Sequence, residues 1–346
     1  MNDHETTRAE RLSDTGSVFP AKEKQEKAGG GGHAGQLYER YLPEGARYST
    51  DENREALQSR ASLERAMQNG TILEGNVVLC DADFTLTVDL GCMYGILPRE
   101  EVQLQYDGSP VRDIAVITRV GKTVCFQITG FSRDECGREC AVLSRRAAQK
   151  ECRERFLSFL LPGDVIPAKV THLEPFGAFV DIGCGIISLL SIDCISVSRI
   201  SHPKDRFFPG MQIYAVIKSM EPDTGRIYVS HKELLGTWEE NAALFEPGQT
   251  VTGIVRSIED YGVFVELTPN LAGLAEFRED ITVGQNAAVY IKSMIPERMK
   301  VKLVLIDSYR GEGGVRKAQY FIRSGHIDRW VYSPAVCPRV IESVFP

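Results

Sequence analysis

An internal repeat constrains the fold of this chain more than any other feature of its sequence. The hexapeptide Phe-Gly-Ala-Phe-Val-Asp at 176–181 returns as Tyr-Gly-Val-Phe-Val-Glu at 261–266. A valine, Val170 or Val255, lies six residues before each copy, so the two copies share one register. A more divergent copy surrounds Val-Asp-Leu-Gly at 88–91. Such self-similarity predicts tandem copies of a single folding unit.

The rest of each repeat indicates a small barrel. The tetrapeptide Ile-Lys-Ser-Met recurs at 217–220 and 291–294, in a later strand pair of two units. From residue 72 onward, β-branched and aromatic runs are cut by Gly, Pro and Asp at roughly the 8–12-residue spacing of all-β folds. Each unit has about 60 to 80 residues and about five strands, the size of the oligonucleotide-binding OB-fold. We therefore predict an all-β chain, a tandem array of three five-stranded OB-fold barrels with short helical connectors.

Changes in composition divide the chain into segments. We predict a disordered N-terminal tail at 1–36, a linker with a short helix at 37–70, a diverged repeat at 71–147, a full repeat at 162–233, a shortened repeat at 247–306 and an aromatic and basic extension at 307–346. The tail is rich in Glu, Lys, Gly, Ser and Thr, and such a stretch cannot bury enough apolar area to offset its ordering entropy. One helix is expected at 51–69, capped by Thr50 or Asp51, and connector helices at 147–160 and 232–245.

Charge and composition exclude several classes of protein. The net charge is −7, so bulk positive charge cannot hold nucleic acid, and any such site must be a local patch. No apolar run approaches the ~20 residues of a membrane span. Residues 1–27 lack the apolar centre of a secretory signal, so we expect a cytoplasmic chain without membrane contact. The cysteines then read as reduced thiols, and the Cys136–Cys140 pair, alone and without a nearby histidine, predicts no metal site.

The second repeat carries four distinctive motifs. They are Gly-Asp-Val-Ile-Pro-Ala-Lys-Val from residue 163, Phe-Gly-Ala-Phe-Val-Asp-Ile-Gly from 176, Phe-Phe-Pro-Gly-Met from 207 and Gly-Arg-Ile-Tyr-Val-Ser-His-Lys from 225. Together they resemble the RNA-binding repeat of the bacterial ribosomal protein S1 family. The resemblance is complete over 162–233, shortened over 247–306 and diverged over 71–147. It implies that OB-fold faces bind single-stranded RNA, and it makes the small ribosomal subunit, where the family's namesake works, an expected partner.

The resemblance also implies which residues meet RNA. In the second repeat they are two stacking rings and two residues beside the Gly-Arg-Ile turn: Phe176, Phe179, Glu221 and Arg226. The family's histidine on the following strand falls on Leu189, and Arg199 and His202 of the next loop would compensate for its loss. In the third repeat the same roles, and a position near the missing histidine, fall on Tyr261, Phe264, Lys300 and Glu276. The first repeat keeps Phe84, but Thr87 replaces the second ring, so we expect a weakened RNA face there.

Strand alternation gives a physical reason for outward rings. On the strand from 177 to 182, small apolar side chains share the side that suits a barrel interior, whereas Phe179 and Asp181 share the other. A kink at Gly177 lets Phe176 join them. Two outward rings leave apolar surface in water, which stacked bases would cover. The alternative is that both rings belong to the core.

Basic residues in the two better-matched repeats predict phosphate contacts. They are Lys169, Arg226, Lys232, Arg256, Lys300 and Lys302. Lys169 lies between Ala168 and Val170 and should face outward on its strand. RNA affinity should then fall as salt rises. The alternative is a solvated barrel rim whose lysines occur by chance.

The remaining chemistry indicates binding rather than catalysis. His172 and His231 lack a paired carboxylate or nucleophile at a recognisable spacing, so surface or capping roles are expected. The extension at 307–346 interleaves aromatic residues with arginine; packing of its rings on the third repeat is favoured over an added RNA or ribosome contact. We predict non-catalytic binding of single-stranded RNA, mRNA included, in ribosome-associated translation and without a cofactor. A protein-docking adaptor with incidental RNA contact is the alternative.

Overall fold

Strands dominate the computed structural model, which describes residues 40–345 except 106–107, 135, 222–223 and 311–317. Barrel one contains β1 (Leu73–Cys80), β2 (Leu86–Asp89), β3 (Tyr94–Leu97), β4 (Thr123–Arg133) and β5 (Glu139–Ser144). Barrel two contains β6 (Val165–Glu174), β7 (Gly177–Asp181), β8 (Ile187–Ser191), β9 (Gln212–Met220) and β10 (Ile227–Ser230). Barrel three contains β11 (Thr250–Glu259), β12 (Gly262–Thr268), β13 (Leu271–Ala275), β14 (Asn286–Ile295) and β15 (Lys300–Tyr309). A separate two-stranded sheet pairs β16 (Arg329–Val331) with β17 (Glu342–Val344).

All three barrels close with the same strand order. In barrel one the order is β1-β2-β3-β5-β4, and barrels two and three repeat it with their own strands. The third and fifth strands of each barrel run parallel, and the other neighbours run antiparallel. This arrangement confirms the predicted all-β array of three five-stranded OB-type barrels. The predicted tail at 1–36 lies outside the described residues.

The helices of the described residues are short; two precede barrel one, one lies within it, and the last two connect the barrels. In chain order the helices are α1 (Asp51–Leu57), α2 (Arg60–Gln68), α3 (Asp113–Ile117), α4 (Arg145–Arg155) and α5 (Trp238–Ala242). Single 3-10 turns occupy Arg99–Glu101, Leu157–Phe159, Ile192–Cys194, Pro203–Asp205, Lys232–Leu235 and Pro296–Arg298. None of the helices within the described ranges is both long and apolar enough to cross a membrane.

The prediction of one helix at 51–69 was wrong, because the segment forms two. Thr50 caps α1, as expected, by accepting a hydrogen bond from the backbone N–H of Asn53. Ser59 then caps α2 in a reciprocal capping box with Ser62. A serine that binds the backbone of the next turn competes with continuation of the preceding helix, so the chain restarts there.

Alternation along the second strand of each barrel sets inside and outside. In β7, Ala178 and Val180 are fully buried in the core of barrel two, while Phe179 faces out. In β12, Val263 and Val265 are fully buried in the same way, and Phe264 faces out. The alternative that Phe179 and Phe264 form the barrel core is therefore excluded, because smaller side chains already fill the barrel interior.

Residues 41–47, which we call the strap, join barrel one to barrel two. The Glu44 carboxylate accepts hydrogen bonds from Arg145 of α4 and from the backbone of Cys125 in β4. The Glu44 backbone N–H donates to Asp181 of β7 at 2.8 Å. On the other side, the Glu74 carboxylate of β1 accepts from two backbone N–H groups of the strap. Because these groups are buried and mutually paired, the strap fixes barrel one against barrel two.

Barrels two and three are docked by a buried ion cluster and by the C-terminal segment. Arg206 of barrel two and Arg256 of β11 both bind the Glu266 carboxylate of β12. The segment at 318–345 then crosses back from barrel three to barrel two, where His326 pairs with Asp164 at 2.8 Å. The prediction that the rings of this extension pack on the third repeat agrees with the burial of Trp330 and Tyr332 in the core of barrel three.

Candidate nucleic-acid interface

Barrel two carries a pair of phenylalanine rings on its outer face. Phe176 lies just before β7 and is 56% exposed, and Phe179 lies on the outer face of that strand. The two ring centroids are 6.0 Å apart and the rings are perpendicular. Gly177 separates them because a Cβ at this position would come within 2.5 Å of the Leu190 carbonyl oxygen on β8. The sequence therefore brings the two rings together through a close strand approach that only glycine permits.

Cross-strand pairing extends this pair into a stripe around the barrel. The residues that lie opposite one another on successive strands, which we call the barrel two stripe, are His172, Phe179, Leu189, Tyr228 and Ser219. The His172 ring stacks on Phe179 with centroids 6.4 Å apart, and its Nε2 lies 2.7 Å from Glu174. His172 and Tyr228 were not predicted as part of the interface. The signal that could have found them is their position, directly in register with Phe179 and Leu189.

Leu189 occupies the position that the family resemblance assigns to a histidine. It lies directly opposite Phe179 on β8 and is half-buried. The stripe therefore has one aliphatic member between two aromatic ones. His172, on the other side of Phe179, supplies an imidazole ring to the same face.

The turn after β9 carries the polar residues that were expected there. Arg226 is exposed, and its backbone carbonyl accepts a hydrogen bond from Glu221 at 2.8 Å. Hydrogen bonds from the hydroxyls of Thr224 and Tyr228 lower the pKa of Glu221, which keeps its carboxylate ionised. The turn thus places one cation and one acceptor at the edge of the stripe.

Two predicted phosphate contacts of barrel two lie elsewhere than expected. The Nζ of Lys169 faces out of the barrel, but it donates to the Glu44 carbonyl of the strap at 2.7 Å, so Lys169 belongs to the barrel one–barrel two contact. Lys232 is half-buried and donates to the Asp193 carbonyl at 3.2 Å. Asp181 also faces outward as predicted, yet it is buried beneath the strap. Burial raises the pKa of Asp181 to about 6, and the charge of Glu44 adds to the effect.

The loop that carries Arg199 and His202 belongs to barrel two and also contacts barrel three. Arg199 is exposed, and the Nδ1 of His202 accepts a hydrogen bond from the Lys204 backbone, which caps a 3-10 turn. The loop then attaches to barrel three through Arg206 and Glu266. The proposal that Arg199 and His202 compensate for Leu189 therefore stays a prediction, and the loop that carries them also contacts barrel three.

Barrel three repeats the ring pair of barrel two. Tyr261 is 69% exposed, and its ring lies 6.2 Å from Phe264 in a perpendicular arrangement. The corresponding barrel three stripe is Ser257, Phe264, Leu274, Lys302 and Ser293. Lys300 and Lys302 are exposed on β15, and the register puts Lys300 in the position of Arg226.

The register and the contacts locate two further predicted residues of barrel three. Leu274 lies opposite Phe264, so a leucine takes the histidine position in this barrel as well, and Glu276 follows two residues later, near that position. Arg256 is largely buried and binds Glu266 at 2.8 Å, with Asp205 3.8 Å away. Its charge is neutralised within the contact between barrels two and three, and it is not an open phosphate ligand.

Barrel one lacks an equivalent ring surface. Its stripe is Leu79, Thr87, Ile96, Val142 and Gly130. Phe84 lies in the turn before β2 with a φ of 60°, and the Arg99 guanidinium covers its ring at 4.8 Å. Strand pairing puts Thr87 at the position that Phe179 holds in barrel two, as expected. The other residues of the barrel one stripe carry neither a charge nor a ring.

Comparison with known proteins supports the resemblance seen in the motifs. Residues 161–232 match the family model described as the S1 RNA binding domain. A small ribosomal subunit protein bS1 from Rhodopseudomonas palustris is 31% identical over 258 residues, covering 73% of this chain and 44% of that protein. One from Staphylococcus aureus is 29% identical over 230 residues, covering 65% of this chain and 56% of that protein. The chain thus spans about half the length of these curated relatives.

Solved structures add less to this comparison. A multidomain protein with nucleic acid binding domains from Streptococcus pneumoniae aligns over 69% of this chain and 74% of that one. The identity is 17% and the TM-score is 0.24. At that score the likeness carries no argument about this chain, and the assignment rests on the domain match and the curated relatives.

Proposed function

Residues 161–232 belong to the S1 RNA-binding domain family, and we propose from this premise that the chain binds single-stranded RNA, mRNA included, without catalysing a reaction. The observation that carries the proposal is the outward ring pair Phe176 and Phe179, continued by His172 and flanked by the exposed Arg226. Base stacking on such rings contributes about 1–3 kcal/mol per base, and it tolerates any base sequence.

The arrangement favours an unpaired strand for a geometric reason. A ring can stack only on a base face that is free, and a duplex hides its base faces within the stack. Phe176 and Tyr261 project from their barrels, so both can insert between bases of an open strand. The nearby cations Arg226, Lys300 and Lys302 then lie where the phosphates of that strand would pass.

Translation is the proposed setting. The relatives bear the name of a small ribosomal subunit protein. We therefore propose that this chain works in the cytoplasm with the small ribosomal subunit and presents its barrel two and barrel three stripes to mRNA.

The test is removal of the barrel two rings from the full chain. Replacing Phe176 and Phe179 together by alanine should weaken binding of a labelled single-stranded RNA by about 2–5 kcal/mol if two bases lose their partners. Fluorescence anisotropy measures the affinity, and circular dichroism checks that the variant is folded. Phe159→Ala is the matched control, because this phenylalanine is 72% exposed but lies outside the stripes. A folded double variant with wild-type affinity would refute the proposal.

A further inference from the structure

The loop between β8 and β9 begins beside the ring pair of barrel two. The backbone N–H of Ile192, the first residue of the loop, donates to the Phe176 carbonyl at 2.9 Å. Phe176 is therefore held directly against the point where the loop leaves the barrel. Any strand of RNA that stacks on Phe176 passes close to this loop.

Two clamps hold the middle of the same loop on barrel three. At the first clamp, the backbone N–H groups of Val197 and Ser198 donate to Asn270 and to the Pro269 carbonyl, at 3.0 and 3.1 Å. The second clamp is the Arg206–Glu266 ion pair, in which both side chains are about nine-tenths or more buried. Breaking a buried pair of this kind leaves an uncompensated charge, so the clamp is a strong constraint on the loop.

The second clamp lies beside the ring pair of barrel three. Glu266 follows Phe264 by two residues on β12, and both side chains face away from the barrel interior that Val265 fills. The loop therefore reaches from Phe176 on one barrel to the strand that carries Phe264 on the next. It physically connects the two candidate RNA surfaces.

Exposed cations lie between the two clamps. Arg199 and Lys204 are both exposed, and neither forms an ion pair within the ranges that the structure describes. The one carboxylate of this stretch, Asp205, is already 3.8 Å from Arg256. The connection between the two ring pairs thus carries a net positive charge that no carboxylate of the described residues pairs with.

From these contacts we propose that Arg199 and Lys204 form a phosphate-binding bridge, and that one RNA strand runs from the barrel two rings across this bridge to the barrel three rings. The proposal rests on the proposed function, and it adds that the two barrels form one composite site instead of two independent ones. Because the clamps fix the barrels, a strand bound at one ring pair is held near the other at a high effective concentration.

The experiment compares short and long oligouridine on the full chain. A strand of about 5 nucleotides fits within one barrel, and one of about 20 exceeds the roughly 4–16 nucleotides that an OB-fold occupies. The double variant Arg199→Ala/Lys204→Ala should lose about tenfold in affinity for the long strand, or about 1.4 kcal/mol, and less than about twofold for the short one. Loss of two phosphate contacts should also reduce the salt slope of the long strand by about 1.4, at ~0.7 per contact.

Controls separate this proposal from the proposed function. Arg112→Ala/Lys122→Ala removes one arginine and one lysine that are exposed on barrel one, and it should change neither strand's affinity. Phe264→Ala should weaken the long strand and spare the short strand bound at barrel two. If the wild-type chain binds the short strand but the bridge variant keeps the affinity and salt slope of the long one, the bridge is wrong while RNA binding stands. Two long strands bound independently per chain would also overturn it.

Discussion

His231 is a buried histidine whose two nitrogens are both used by the fold. Its Nδ1 lies 2.8 Å from the Ile195 carbonyl, which can only accept, so Nδ1 carries the proton. Its Nε2 lies 2.9 Å from the Tyr320 hydroxyl and accepts from it. Burial of the ring lowers the pKa of His231 to about 4, and the positive charge of Arg206 acts in the same direction. His231 occupies the N-cap position of the 3-10 turn Lys232–Leu235 without a side-chain capping bond. The expectation of a surface position was wrong, because Tyr320, which covers the ring, lies 89 positions away.

Stability should therefore fall in mild acid. The unfolded chain takes up a proton at His231 near pH 6.5, whereas the folded chain resists protonation until about pH 4. The stabilisation is complete above about pH 6.5 and is lost as pH falls toward 4, by about 3 kcal/mol at ~1.4 per pKa unit. Denaturant unfolding of His231→Gln across this window should show a flatter pH dependence than wild type. His172→Gln, at an exposed histidine, is the control, and an equal flattening there would contradict this account.

Residue patterns predicted the outward rings but not what covers their neighbours. Phe179 and Asp181 alternate identically in the sequence, yet Phe179 is only half-buried and Asp181 lies fully buried beneath the strap. The difference comes from Glu44, which lies 137 positions from Asp181. Local alternation fixes which side of a strand a residue takes, and only the tertiary contacts decide whether water reaches it.

At the level of elements, the three barrels share one fold, but their stripes carry chemically different side chains. Barrel two places rings at His172, Phe179 and Tyr228, barrel three combines Phe264 with Lys302, and barrel one offers aliphatic groups. Strand order and register are the same in all three. Any difference in RNA binding between the barrels should therefore come from the side chains on the stripe, because the barrel itself is the same.

A matched pair of substitutions checks this difference between barrels one and two. Phe179→Leu keeps apolar volume but removes the π-face, and it should weaken binding of single-stranded RNA by about 1–3 kcal/mol. Phe84→Leu removes the ring of barrel one, which Arg99 already covers, and it should change the affinity less than about twofold. Filter binding on the folded full-length variants measures both. An equal loss from the two substitutions would mean that barrel one also stacks bases.

Most of the barrel strands could be predicted from the repeats, whereas the exact bounds of the connector helices could not. The repeated Phe-Gly-Ala-Phe-Val-Asp pattern predicted the second strand of a barrel, because each position has the same environment in each copy. The connector helix expected at 147–160 begins at Arg145 and ends at Arg155, with a 3-10 turn at Leu157–Phe159. In barrel three, strand pairing puts Leu274 at the histidine position, and Glu276, which was expected near it, follows two residues later.

On the scale of the whole molecule, we expect a chain of net charge −7 to prefer single-stranded RNA to duplex RNA. Without a large basic face it cannot hold a duplex by charge alone, and its rings need free base faces. Pyrimidine-rich and mixed single strands should bind within about tenfold of each other, a spread of ~1.4 kcal/mol. Duplex RNA should bind much more weakly. Competition anisotropy at two salt concentrations measures this, and a preference for duplex at moderate salt would show that the rings serve another partner.

The return of the C-terminal segment to barrel two has a consequence for folding during synthesis of the chain. His326 pairs with Asp164 across 162 positions, and the backbone N–H of Val165 donates to the Gly325 carbonyl. The last strand of barrel two ends at Ser230, so its cover emerges roughly a hundred residues later, which takes about 5–20 s at typical synthesis rates. Throughout that interval the start of β6 has an unpaired edge in water. Barrel two must therefore remain folded, and avoid pairing with neighbouring nascent chains, before its own covering segment exists.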